Sequence, residues 1–200
     1  MSDYIFLFDL DSTITKAEIL PMIAKAIGKE DEIRRITEKT MRGEIPFLQS
    51  FLDRVEILSR INVSDVSDMI SEIPLNEKMV SFIKKHPDRC FVVTGNIDVW
   101  ISKLMKRIID DTHLYCSRAD IENGNSIRIV SVADKELVAR QFVRPIVAIG
   151  DGDNDTGMAK IADISIGFGE VRDIAPSLKQ IADKLFYDEK ELVAYLETLI

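Results

Sequence analysis

Five short, largely apolar runs, separated by longer stretches with helical spacing, constrain the fold of this chain more than any other feature of its sequence. Short apolar runs are typical of buried strands, and their alternation with helical stretches is typical of a parallel sheet covered by helices. The sequence therefore predicts an α/β fold built on a parallel sheet. The predicted strands are Tyr4–Phe8, Phe91–Val93, Ile127–Val130, Ile146–Ile149 and Ile164–Ile166.

The interval between the first two predicted strands is too long for a simple crossover. Between them only helical patterns occur, for example AEILPMIAKAIG and IPFLQSFLDRVEILSR. A crossover between parallel strands is usually made by a single helix. We therefore expect residues 16–72 to form a small helical domain, inserted after the first strand of a core that comprises residues 1–15 and 73–200.

The composition is that of an ordinary soluble globular protein and argues against several partners. Because 46% of the 200 residues are hydrophobic, the core needs no disulfide. We interpret Cys90 and Cys116 as core residues of a protein in a reducing compartment, with a disulfide between them as the alternative. No apolar segment approaches the ~20 residues that span a bilayer, and no signal-peptide pattern opens the chain, so we expect a cytoplasmic protein. The net charge of −8 argues against nucleic acid and membrane surfaces as partners, but not against a small anionic molecule.

Polar and acidic residues follow three of the predicted strands. Asp9 and Asp11 follow the first, Thr94-Gly95-Asn96 follows the second, and the segment GDGDND, Gly150–Asp155, follows the fourth. Ligands of open α/β sheets bind at the carboxyl ends of the strands, so these groups converge on one crevice if the three strands are neighbours. Turn formation alone also places such residues at strand ends. Three polar strand ends together favour a functional site.

Carboxylates gathered in this way need a cation. Two of them about 4 Å apart repel each other by about 4 kcal/mol at an effective dielectric constant of about 20. Mg²⁺ suits a few carboxylates together with water and phosphate oxygens. With the ion bound, Asp9 would stay ionised and act as a nucleophile, while Asp11 could carry a proton. Lys135 follows a predicted N-cap, Asp134, and would lie in the first turn of a helix, where a cation opposes the helix dipole. An anion bound at that helix terminus would explain the lysine. A solvated surface lysine is the alternative.

Taken in order, these motifs resemble the four-motif signature of the haloacid dehalogenase superfamily of phosphohydrolases. They are Asp9–Thr13 (DLDST), Thr94-Gly95, Lys135 and Gly150–Asp155. The resemblance covers the whole chain and implies a Rossmann-like core with a small helical cap after the first strand. It also implies that Asp9 attacks phosphorus and forms an aspartyl-phosphate, while Asp11 protonates the leaving oxygen and later activates water.

The resemblance assigns roles to the remaining motif residues as well. The implied Mg²⁺ ligands are Asp9, the backbone carbonyl of Asp11, and Asp151, with Asp155 in support. The implied binding groups for the phosphoryl group and the substrate are Thr94, the Gly95 amide, Lys135 and Asn154. These roles agree with the chemistry of phosphoryl transfer, which needs positioning and neutralisation of the phosphoryl oxygens.

Within the superfamily, the helical segment resembles that of the phosphoserine phosphatases, in a Glu seven residues after Asp11 and in MRGEIPFLQSFLDR. The implied roles are Glu18 for the substrate ammonium, Arg54 for its carboxylate, and Met41 and Phe47 as apolar walls. Each residue also has a structural interpretation. The negative charge of Glu18 would interact favourably with the dipole of a helix that we expect to begin near it. Arg54 would cover the edge of an apolar helix face. Met41 and Phe47 would belong to the core.

The chain departs from the phosphoserine phosphatase pattern at three points. Asn96 replaces the last glycine of the usual Ser-Gly-Gly, the segment from Lys135 to Asp151 is short, and Asp153 adds an acid. We predict a Mg²⁺-dependent phosphomonoester hydrolase, with L-phosphoserine as the substrate in serine biosynthesis. The alternatives are another small phosphomonoester and phosphoryl transfer to an alcohol. More remote alternatives are a phospho-receiver signalling domain, which lacks GDGDND, and a relative that only binds Mg²⁺ and phosphate. The sequence does not predict the oligomeric state.

Overall fold

A seven-stranded sheet forms the centre of the computed structural model, which describes residues 4–41, 44–59, 61–122, 126–143 and 145–200. The side chains of Met41 and Phe47 lie outside the described part. The strands are β1 (Ile5–Phe8), β2 (Cys90–Ile97), β3 (Leu114–Glu122), β4 (Ser126–Ser131), β5 (Ile146–Gly150), β6 (Ile164–Phe168) and β7 (Lys184–Phe186). The helices are α1 (Ile19–Ala26), α2 (Glu30–Met41), α3 (Phe47–Leu58), α4 (Val63–Ser71), α5 (Glu77–Lys85), α6 (Asp98–Met105), α7 (Lys135–Ala139), α8 (Thr156–Ile161), α9 (Pro176–Ile181) and α10 (Glu189–Glu197).

The strand order places β1 at the centre of the sheet. The order is β4-β3-β2-β1-β5-β6-β7, and β1 pairs in parallel with both β2 and β5. Phe8, the last residue of β1, is in register with Val92 and Ile149. The three strands therefore end at one edge of the sheet. This confirms the predicted α/β fold and the predicted meeting of the three polar strand ends.

Burial on both faces explains why β1 is a continuous apolar run. Phe6 and Phe8 pack into the larger core, which includes residues of α1, α5, α6 and α10. Ile5 and Leu7 pack into a smaller core against α7 and α8. Strands that are covered by helices on both sides show such runs instead of an alternating pattern.

Two features of the sheet differ from the prediction. β3 and β7 were not predicted, and the predicted strand Ile127–Val130, now part of β4, runs antiparallel to β3 instead of joining a wholly parallel sheet. Only residues 123–125 separate β3 from β4, which is too short for a parallel crossover. The outer half of β3 is largely exposed and carries Arg118, Asp120 and Glu122, so it has no apolar run.

Four helices, α1 to α4, follow β1 and match the four helical patterns of the sequence. The segment that holds them starts and ends at one place, because Thr15 forms an isolated antiparallel bridge with Leu75 and the Lys16 N–H donates to Pro74 O at 2.8 Å. The division into a domain of residues 16–72 and a core of the remaining residues stays a prediction. Within the described ranges, no helix combines the length and apolarity that crossing a membrane requires.

Candidate active site

The turn after β1 sets the positions of the first two aspartates. Leu10 O accepts hydrogen bonds from the N–H groups of Ile14 and Thr15, both at 3.0 Å, so the chain reverses directly after the strand. Ser12 has φ of 58°, which places it in the left-handed region that few residues other than glycine adopt. Such backbone strain is typical of functional sites. Asp9 is buried at the strand end and Asp11 is half-buried in the turn.

Three buried carboxylates meet at the ends of β1 and β5. Asp9, Asp151 and Asp155 each offer an oxygen, and these oxygens lie within 4.8 Å of one another. Asp155 Oδ2 accepts the N–H groups of Asp151 at 3.0 Å and of Gly152 at 2.8 Å, which fixes the loop. Gly150 leaves room for this contact, since a Cβ there would lie 2.5 Å from Asp155 Oδ2. Gly150 therefore lets the Asp155 side chain fold back onto the backbone of Asp151 and Gly152.

Lys135 supplies a cation to this carboxylate group. Asp134 caps α7 by accepting the N–H groups of Glu136 and Leu137, as predicted, and Lys135 is the first residue of that helix. Its ammonium bonds to Asp9 Oδ1 and, at 2.6 Å, to Asp155 Oδ1. The alternative of a solvated surface lysine is wrong, because only 5% of the residue is exposed. Burial alone would lower its pKa, but the attraction of the two carboxylates outweighs that effect and raises it, so the ammonium stays charged.

Lys135 and Arg172 together leave the three buried carboxylates one positive charge short. Burial, followed by repulsion from Asp155, raises the pKa of Asp9 to about 8, although Lys135 opposes the shift. Burial also raises the pKa of Asp151 to about 6, against the attraction of Arg172. Asp151 Oδ1 is buried and has no hydrogen-bond partner among the described residues. The three carboxylates and the unpartnered oxygen fit a hard divalent cation, which binds oxygen ligands of this kind.

Asp11 stands apart from the carboxylate group. Its Oδ1 accepts the Ile19 N–H at 2.8 Å, and its Oδ2 accepts a hydrogen bond from the Asn96 side-chain amide. Burial, followed by repulsion from Asp9, raises the pKa of Asp11 to about 7. A carboxyl group with such a pKa both gives and takes a proton near neutral pH, as a general acid and base must.

The end of β2 lies next to these groups, and the strand is longer than predicted because it continues through Thr94, Gly95 and Asn96 to Ile97. Thr94 is buried, and its Oγ1 accepts the Asn96 N–H at 3.1 Å. A Cβ on Gly95 would meet no atom within 4 Å, so there is open space beside its backbone. That space leaves room for a bound group at the end of β2.

Arg172 joins the two sides of the site and was missed by the sequence reasoning. Its Nη1 donates to Glu18 Oε1 at 2.6 Å, and its Nε donates to Asp151 Oδ2. Glu18 is the N-cap residue of α1, so a helix begins next to it, as predicted. Arg54 of α3 is partly buried, which lowers its pKa, while the charges of Glu18 and Asp11 oppose that shift. The charges of Glu18 and Arg54 therefore interact with Asp11 as well as with each other.

The other predicted site residues are less closely involved. Asn154 is half-buried in a short 3-10 helix, Asp153–Asp155, and packs against Gly152. Asp153, the additional acid, is exposed and accepts a hydrogen bond from the Ser177 hydroxyl outside the carboxylate group. The predicted contacts of Met41 and Phe47 fall on side chains outside the described part and stay predictions.

The sequence is similar to known phosphohydrolases, in agreement with the geometry of the site. A model of the haloacid dehalogenase-like hydrolases matches residues 5–163. The phosphoserine phosphatase of Archaeoglobus fulgidus is 30% identical over 194 residues, which are 90% of this chain but only 55% of that relative. The phosphoserine phosphatase of Methanocaldococcus jannaschii is 29% identical, with 96% of this chain and 97% of the relative covered.

Solved structures of phosphoserine phosphatases are similar along the whole chain. A phospho-aspartyl intermediate analogue of such an enzyme has a TM-score of 0.80 at 27% identity, with 98% of this chain and 99% of that chain covered. A substrate-bound complex has a TM-score of 0.77 at 27% identity, with 98% of each chain covered.

Proposed function

The chain belongs to the haloacid dehalogenase-like hydrolases, and we propose that it is a Mg²⁺-dependent phosphomonoester hydrolase that forms an aspartyl-phosphate on Asp9. The observation that carries this proposal is the buried group of Asp9, Asp151, Asp155 and Lys135, with Asp11 beside it. It provides a carboxylate nucleophile, a fixed cation and a separate proton carrier. These are the components that phosphoryl transfer through a covalent intermediate needs.

Asp9 and Asp151, with the Asp11 backbone carbonyl and with Asp155 in support, would hold Mg²⁺. When bound, this ion neutralises the carboxylates and the phosphoryl oxygens. Lys135 adds a positive charge next to the nucleophile. Thr94 Oγ1 and the Gly95 amide would bind phosphoryl oxygens in the open space at the end of β2.

The reaction would have two steps. In the first, an Asp9 carboxylate oxygen attacks phosphorus, the bond to the ester oxygen breaks, and Asp11 donates its proton to that oxygen. In the second, Asp11 takes a proton from water, which attacks the same phosphorus and releases phosphate and the free Asp9 carboxylate. Asp11 can serve in both steps because its pKa is raised to about 7.

L-phosphoserine is the substrate that we propose, with L-serine as the product in serine biosynthesis in the cytoplasm. Two relatives that align over most of this chain carry the name phosphoserine phosphatase. Glu18 would bind the substrate ammonium and Arg54 the substrate carboxylate, while residues 16–72 would act as a cap that carries both, with Met41 and Phe47 as apolar walls. Asn154 would complete the binding set around the phosphate.

A second candidate is hydrolysis of another small phosphomonoester, or transfer of its phosphoryl group to an alcohol. One observation favours it. Arg172 already neutralises Glu18, the residue proposed to bind the ammonium, with an ion pair at 2.6 Å.

The test is phosphate release from L-phosphoserine, phosphoethanolamine, phosphothreonine and p-nitrophenyl phosphate, with Mg²⁺ and with EDTA. We expect release only with Mg²⁺, fastest from L-phosphoserine, and none from Asp9→Asn. Asp153→Asn is the matched control, since Asp153 is an aspartate of the same loop outside the carboxylate group. Comparable release from the other esters would overturn the substrate, and no metal-dependent release from any ester would overturn the hydrolase itself.

A further inference from the structure

Asn96 occupies a position next to the proton carrier of the site. It lies near the carboxyl end of β2 and is only 4% exposed. Its backbone N–H donates to Thr94 Oγ1 at 3.1 Å, and its side-chain Nδ2 donates to Asp11 Oδ2. One side chain therefore touches the group that would protonate the ester oxygen and adjoins the residue that would bind the phosphoryl group.

The hydrogen bond to Asp11 shows which way the amide of Asn96 points. Nδ2 donates to Asp11 Oδ2, so the NH₂ end of the amide faces Asp11. The carbonyl end, Oδ1, is attached to the same carbon and therefore also lies beside Asp11. It is buried and has no hydrogen-bond partner within the described part of the chain.

A buried amide oxygen without a partner is unfavourable unless a ligand or a bound water supplies a donor. In the proposed reaction the ester oxygen of the substrate lies at Asp11, so a donor that reaches Asn96 Oδ1 must be close to that oxygen. An ammonium group two carbons from the ester oxygen meets this requirement. The carboxylate of Glu18, whose charge acts on Asp11, also favours a positive charge in this region.

We propose that Asn96 selects the substrate, with Oδ1 accepting a hydrogen bond from an ammonium group on the second carbon from the ester oxygen. This inference rests on the proposed function and deepens it, since it assigns the ammonium a second partner besides Glu18. Glu18 shares its charge with Arg172, whereas Asn96 Oδ1 has no competing donor in the described structure. The side chain that replaces glycine thus contributes to recognition of an amino ester.

The experiment compares two substrates that differ only in the amine: L-phosphoserine and 3-phosphonooxypropanoate, in which hydrogen replaces the ammonium. The value of kcat/KM is measured for both, and for p-nitrophenyl phosphate, with wild type, Asn96→Ala and Asn96→Gly. We expect both variants to reduce the preference for the amine about tenfold to a hundredfold, the range of a hydrogen bond to a charged group. Asn62→Ala, an exposed N-cap of α4, is the control that should keep the wild-type preference.

Each outcome decides the matter. An unchanged preference in both variants overturns the inference, and so does an equal loss on both substrates, because Asn96 would then only support Asp11. If Asn96→Ala does not fold by thermal melting, Asn96→Gly, with the residue usual in phosphoserine phosphatases, gives the answer. A wild-type protein that hydrolyses none of the three esters overturns the proposed function and this inference together. Wild-type hydrolysis with an unaltered preference in the variants overturns only the inference.

Discussion

Replacement of Gly150 by alanine should break the loop that holds the carboxylate group. The new Cβ would lie 2.5 Å from Asp155 Oδ2 and 2.7 Å from Asp155 Cβ, and both β5 and Asp155 are buried, so a shift of either disturbs packed structure. If Asp155 is displaced, the buried N–H groups of Asp151 and Gly152 lose their acceptor. Each unsatisfied buried donor costs about 1–3 kcal/mol, so we expect the free energy of unfolding to fall by about 2–6 kcal/mol.

Urea unfolding followed by circular dichroism measures this change in free energy. Gly95→Ala is the matched control for stability, since its Cβ would meet no atom within 4 Å. Gly152→Ala should fall between the two, because its Cβ would collide with the side-chain end of Asn154 and would lie 3.0 Å from Arg172 Nη2, and both can shift. A Gly150→Ala protein as stable as Gly95→Ala would refute the view that Asp155 is held in place by the glycine.

Three further predictions concern charge. Without metal, the free energy of unfolding should fall as the pH rises from about 4 to about 8. The reason is that the pKa values of Asp9, Asp11 and Asp151 are raised from 3.8 to about 8, 7 and 6, so the folded state holds more protons than the unfolded state in this range. Urea midpoints measured in EDTA should fall with pH, saturating Mg²⁺ should reduce that fall, and a midpoint that rises between these pH values would contradict the prediction. Arg54→Gln should reduce the preference for L-phosphoserine over phosphoethanolamine about tenfold to a hundredfold through loss of a charged hydrogen bond, as measured by kcat/KM, and an unchanged ratio would remove Arg54 from substrate recognition. Asp153→Asn should leave kcat/KM within twofold and stability within about 0.5 kcal/mol, since Asp153 is exposed; a large loss of activity would place Asp153 in the site.

The parts of the fold that the sequence predicted are those with a local signal. β1 and β5 are buried on both faces, so each is an apolar run that needs no knowledge of its neighbours. β3 has no such signal, because its exposed outer half is stabilised by pairing with β4 and by charged pairs such as Arg128 with Asp120. β2 was predicted too short, since Thr94 and Asn96 are polar residues that are nevertheless buried.

The site residues likewise divide into those that have a local signal in the sequence and those that do not. Asp9, Asp11 and Asp151 were predicted because they follow strands directly, and a parallel sheet brings such strand ends together. Arg172 was not predicted, because its importance depends on tertiary contacts with Asp151, 21 residues away, and Glu18, 154 residues away. The surrounding sequence VRD carries no motif, and only its place after β6, another strand that ends at this edge, could have indicated it.

The charge of the site links its folding to its chemistry. The described acidic groups are Asp9, Asp11, Glu18, Asp151 and Asp155, and the described cations around them are Lys135, Arg172 and Arg54. Two negative charges are left over in a largely buried place, so the site favours either added protons or a divalent cation. Asp9 belongs to the group that such a cation would neutralise, and it would then act as an ionised nucleophile. Asp11 is held outside that group by Ile19 and Asn96, so it can keep the exchangeable proton that the reaction requires.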